Sequence, residues 1–104
     1  MAHRFVYMTA GSRDEAAAIG RKLVEERLAA CVNILAPMRS IYRWEGRIEE
    51  AEEAVMIAKT TADRLERLVS RVKELHTYEC PCVVAWEISG GHHAFLDWIT
   101  EQTA

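Results

Sequence analysis

At 104 residues, half of them hydrophobic, the chain is expected to form a single domain over residues 1–104 with a modest core that gains from further burial between subunits. Sixteen acidic against thirteen basic residues give a formal net charge of −3 with no basic block, which argues against a nucleic-acid surface. No run approaches the roughly 20 consecutive apolar residues of a membrane span. The start Met1-Ala2-His3-Arg4-Phe5 lacks an apolar leader, and three cysteines do not suit a secreted disulfide framework, so the expectation is a cytoplasmic chain with reduced thiols and no membrane contact.

Phe5-Val6-Tyr7-Met8-Thr9 is short, aromatic and β-branched, and Gly11 stops it, so a first strand is predicted. Ser12-Arg13-Asp14-Glu15 reads as a capping box, with Glu15 reaching back to the Ser12 amide. Ala16, Ile19, Leu23, Val24 and Leu28 then recur at helical spacing. Cys31-Val32-Asn33-Ile34-Leu35 is strand-like and runs through Pro37 into a hairpin, Ser40 to Glu50, with Glu45-Gly46 as its turn. Gly46 takes a positive φ without steric cost, and both a type I turn with a glycine bulge and a type I′ turn fit the pair. With a two-residue loop, Trp44 faces Arg47 and Tyr42 faces Glu49.

The returning arm carries the apolar run Ala54 to Lys59, and the first arm is about twice the usual strand length of roughly 5–6 residues. Such a ribbon overshoots a small sheet and leaves Tyr42 and Trp44 with no core beneath them. Exposed aromatics and open strand edges need a cover, and an identical subunit is the simplest one, so Tyr42 and Trp44 are candidate interface residues. The alternative is a hairpin folding back over its own domain at Pro37.

Thr60 is the expected N-cap of a second helix, with Asp63 in its first turn and an apolar stripe of Leu65, Leu68, Val69, Val72 and Leu75. That helix ends near Leu75-His76, and Val83 to Ile88 reads as a strand after Pro81. Ser89-Gly90-Gly91 breaks it before a closing helix from about His92 to Thr100. The order is that of an α+β, ferredoxin-like βαββαβ sandwich with an extra C-terminal helix and a long hairpin between the second and third strands.

No P-loop, dinucleotide fingerprint, nucleophile elbow or zinc-protease motif is present, and no enzyme is predicted. His76, Tyr78 and Glu79 gather an imidazole, a phenol and a carboxylate at one turn, able to bind a cation or simply to finish a helix whose C-terminal end favours His. Cys80-Pro81-Cys82, with Cys31 on another strand, is a thiol candidate for a soft metal, against the plain alternative of small buried hydrophobes. His92-His93 do not share a helix face and read as surface residues, as does the acidic group Glu49, Glu50, Glu52 and Glu53.

The runs Glu26-Arg27-Leu28-Ala29-Ala30-Cys31-Val32-Asn33-Ile34, Ser40-Ile41-Tyr42-Arg43-Trp44-Glu45-Gly46, Lys59-Thr60, His76 to Pro81 and Leu96-Asp97-Trp98-Ile99 make the chain resemble the CutA family of divalent-cation tolerance proteins, nearly end to end. The resemblance implies a homotrimer similar to PII signalling proteins and a role in tolerance of copper or other divalent cations. Cys31, Lys59, His76, Tyr78 and Glu79 are placed by it near a cleft between subunits. It implies His76, Glu79 and Cys31 as metal candidates and Lys59 and Tyr78 as cleft residues. Cys80 and Cys82, weaker metal candidates, receive no support from the family pattern, so a thiol site there would be particular to this chain. Thr77 stands where the family usually has Pro, which predicts a less rigid turn. A rival reading is a PII-like sensor or assembly trimer that binds a small anionic ligand or a protein partner.

Overall fold

The computed structural model describes residues 2–104. Strand β1 (His3–Ala10) leads into helix α1 (Arg13–Glu25), then the paired strands β2 (Cys31–Trp44) and β3 (Arg47–Thr61), helix α2 (Ala62–Leu75), strand β4 (Val83–Glu87) and helix α3 (His93–Gln102). The sheet order is β2-β3-β1-β4 with every neighbouring pair antiparallel, the ferredoxin-like arrangement that the element order predicts.

Side chains of alternate sign along each strand sort onto two faces. Val6, Met8 and Ala10 of β1 and Ala54, Met56 and Ala58 of β3 point toward the helices, where Ala16, Ile19 and Leu23 of α1 and Leu68 and Val72 of α2 close the core. Ser12 caps α1 by accepting from the Glu15 amide at 3.1 Å. The second half of the expected capping box is different: Glu15 takes the amide of Gly11, not that of Ser12. Helix α1 stops at Glu25 because Arg27 adopts a left-handed φ of 60°. Leu28 then donates its amide to Leu23 and Arg27 to Val24, a Schellman closure that returns the Leu28 side chain to the core.

Thr60 is not the cap of α2; Thr61 holds that position, and its side chain makes no capping bond. Thr60 shares the helix-facing phase of Ala54, Met56 and Ala58, so its hydroxyl is fully buried and donates to the Leu28 carbonyl at 2.7 Å. Helix α3 docks at the start of β1 and the end of β3. His3 Nε2 and Thr100 Oγ1 are 2.9 Å apart, and the Arg64 and Arg27 side chains donate to the carbonyls of Thr103 and Gln102.

The hairpin does not fold back. Register slips once, between Leu35 and Met38, where three steps on β2 match two on β3, and pairing then continues to Trp44 opposite Arg47 and Tyr42 opposite Glu49. Glu45 and Gly46 have φ of 50° and 80°, which selects the type I′ turn. The resulting ribbon draws the chain out to 44 × 24 × 22 Å.

Candidate functional site

The face of the sheet away from the helices carries Phe5, Tyr7 and Thr9 of β1, Val55, Ile57 and Lys59 of β3, Cys31, Asn33 and Leu35 of β2, and Val84 and Trp86 of β4, all in phase by the register. After the bulge, Met38, Ser40, Tyr42 and Trp44 continue this face along the ribbon. The turn between α2 and β4 hangs over its upper end and borders, with the base of the ribbon, an open cavity of about 670 Å³.

His76 ends α2, donating its amide to Val72, and its ring lies sealed beneath that turn. Nε2–H donates to the Thr9 carbonyl at 2.8 Å, while Nδ1 accepts the Tyr78 amide at 3.0 Å. These two partners fix the Nε2-protonated tautomer and occupy both ring nitrogens. Glu15, missed by the sequence reading except as a cap, organises the rest of the turn. Its carboxylate accepts the Gly11 amide, the Thr77 amide at 2.9 Å and the Thr77 hydroxyl at 2.8 Å, and stands 3.6 Å from His76 Nδ1. Burial works to raise the Glu15 carboxyl, but the Thr77 and Gly11 hydrogen bonds outweigh it and hold the group below the usual carboxylate value. Thr77 supplies two donors that a proline lacks, so this turn is pinned where less rigidity was expected.

The Tyr78 ring tilts over His76 at 4.6 Å, and its hydroxyl donates to Glu53 at 2.6 Å. Burial, and then that bond to a carboxylate, push the phenol well above its ordinary value. Tyr78, Glu79, Cys80 and Cys82 line the cavity from the turn; Tyr42 and Trp44 line it from the ribbon. Burial, followed by the nearby Glu53 charge, also raises the Cys82 thiol. Glu53, Met38 and Tyr7 also line it. A lone Glu or Met on a strand carries no motif, so only the register brings these three into view.

Cys31 and Lys59 stand apart from this group. They face each other across β2 and β3, and Lys59 lies opposite Phe5, four residues (roughly 13 Å) along β1 from the Thr9 that holds His76. The Lys59 amine donates to the Asn33 side chain. Among the described residues, no three His, Cys, Asp or Glu side chains converge as a metal polyhedron within the chain. With Nε2 donating to Thr9 and Nδ1 accepting from Tyr78, His76 has no lone pair left for an ion in this arrangement, against its expected role as a metal ligand.

Comparison with known proteins matches residues 4–102 to the family model of the CutA1 divalent ion tolerance protein. The divalent-cation tolerance protein CutA of Archaeoglobus fulgidus is 46% identical over 99 residues, 95% of this chain and 96% of that one. Its counterpart from Thermus thermophilus is 46% identical over 98 residues, 94% of this chain and 95% of the other. The crystal structure of CutA1 from Oryza sativa superposes with a TM-score of 0.97 at 34% identity, covering 100% of this chain and 95% of that one.

Proposed function

Because the chain belongs to the CutA1 family of divalent ion tolerance proteins, we propose that it acts as a homotrimer that binds divalent cations, copper first, in clefts between subunits and without catalytic turnover. The observation that carries this reading is the bare apolar face of the sheet and its ribbon. Leu35 is 58% exposed, Val84 50% and Trp86 51%, with Tyr42 at 43% and Trp44 at 47% on the same face. An isolated subunit would present these groups to water, and closing them against copies of the chain removes that cost. The cation reading is supported by the donors at the rim of this face, the Glu79 carboxylate and the Cys31 thiol; the His76 ring, with both nitrogens bonded within the chain, is not among them. Packing that face against copies of the chain gives these separated donors a way to converge, which one chain alone does not provide. Three unpaired thiols suit a reducing compartment, and we place the protein in the cytoplasm.

Light scattering with calorimetric titration tests both halves. The parent is expected to have the mass of three chains and to bind Zn²⁺ or Cu²⁺, while Trp44→Glu gives smaller species and weaker binding. An unchanged mass for that variant overturns the interface; unchanged binding by separated subunits overturns the shared cleft.

One observation favours a second reading, a small anionic ligand at the same face. Among the described residues Lys59 donates to Asn33 and pairs with no carboxylate, leaving its charge uncompensated. A saturable, anion-dependent rise in Tm without metal, lost in Lys59→Gln, is the result that would favour it.

A further inference from the structure

His76 leaves α2 with extended backbone, φ −81° and ψ 145°, and its ring turns back beneath the chain so that Nδ1 meets the amide two residues on. Such a local bond from side chain to backbone ordinarily suits Asn or Asp; here an imidazole makes it. The ring has no exposed surface. A neutral imidazole offers one donor and one acceptor, and the Thr9 carbonyl and Tyr78 amide use both. A protonated ring offers two donors. Its Nδ1–H would then stand against the Tyr78 N–H, across 3.0 Å, with no acceptor between them.

We propose that His76 is a proton-operated latch on the turn between α2 and β4: a proton from solvent, added at Nδ1, releases the Tyr78 amide and turns Nδ1–H to the Glu15 carboxylate. Glu15 Oε2 lies 3.6 Å from Nδ1, and its side chain, 16% exposed, connects the sealed ring with water. The groups facing the ring favour the added charge. From α1 comes Glu15, kept ionised by its bonds to Thr77 and Gly11. From β1 comes the uncharged Thr9 carbonyl, and from the turn the Tyr78 phenol at 4.6 Å, which burial and its bond to Glu53 keep protonated. Glu53 of β3 stands behind that phenol, accepting its hydroxyl. Both carboxylates are negative, while burial of the ring opposes a charge, so the latch depends on the carboxylate beside it. Tyr78 is the piece set free. Its side chain borders the 670 Å³ cavity and reaches the base of the ribbon at Glu53, so release of its amide loosens that border. Every contact involved lies within one chain, and the latch stands apart from the metal and anion readings.

The test follows the full protein by NMR from about pH 8 to about pH 5, reading the His76 ring nitrogens and the protection of single amides. One proton is expected at Nδ1, with the protection factor of the Tyr78 amide falling at least about tenfold at the same midpoint. The His76 amide, bonded to Val72 within α2, should keep its protection. Glu15→Gln retains an oxygen for Thr77 and Gly11 but removes the charge, and should move the midpoint about one pH unit lower, which a merely structural ring would not show. A ring that stays neutral across the range overturns the latch, and so does Tyr78 protection that fails to follow the ring. Equal loss at the His76 and Tyr78 amides marks general unfolding and overturns it too. A midpoint unmoved in Glu15→Gln overturns Glu15 as the acceptor.

Discussion

The two faces of the sheet are built from similar residues and meet opposite fates. Toward the helices, Val6, Met8, Met56 and Ala58 are wholly buried; on the other side Leu35, Val84 and Trp86 stand at least half exposed. A sheet that ends in water alternates apolar with polar groups, and this one alternates apolar with apolar over much of its length. The difference teaches that strand periodicity fixes which residues share a face, while only the surroundings say whether that face is covered. Where helices supply the cover, the apolar side chains are sealed within one chain; where they do not, they remain open.

The largest expected break of this symmetry is Met56→Ala on the covered face, which should lower unfolding stability by about 2–5 kcal/mol in chemical denaturation. Its counterpart, Trp86→Ala, sharpens the comparison: a cost of the same order, growing with protein concentration, marks a face covered by another copy. A change within about 0.5 kcal/mol marks a face in water.

Next comes His76→Ala, which leaves the Thr9 carbonyl and Tyr78 amide unpaired under the turn. A loss of about 2–4 kcal/mol is expected, together with faster hydrogen exchange at Thr77 and Tyr78. Glu15→Gln should cost about 1–2 kcal/mol at neutral pH, since it weakens charge-assisted bonds to Thr77 and Gly11. Because the folded-state Glu15 value is lowered, its stabilisation is present above the unfolded carboxylate value and lost as pH falls through the folded one. The parent and variant melting curves should therefore converge in acid and separate above it; parallel curves across the acid limb would assign Glu15 no ionised role.

The smallest effect lies at the ribbon tip. A Cβ on Gly46 meets no atom within 4 Å, so Gly46→Ala isolates the cost of φ +80°, about 1 kcal/mol. Glu45→Asn, at φ 50°, should recover a few tenths of a kcal/mol in the same melts.

Local chemistry was enough to read most of the elements. Ser12 signalled the start of the first helix, the stripe Leu65 to Leu75 the second, and Glu45-Gly46 the hairpin turn with its two-residue pairing. These depend on spacing and on φ preferences within a few residues. Thr60 was misread as a cap because a hydroxyl before a helix has the same sequence signature whether it caps or is buried; only its phase with Met56 and Ala58 decided. The first helix was extended to Leu28 because apolar spacing continues through a Schellman turn, and Arg27, lacking a glycine signal, hid the stop. At the candidate site, His76, Tyr78 and Glu79 were legible as neighbours in one short run. That His76 is sealed with both nitrogens bonded, that Glu15 organises the turn from 62 residues away, and that Met38 joins Cys80 and Cys82 at one cavity wall were decided by tertiary structure alone, because long-range register, not spacing, sets those contacts.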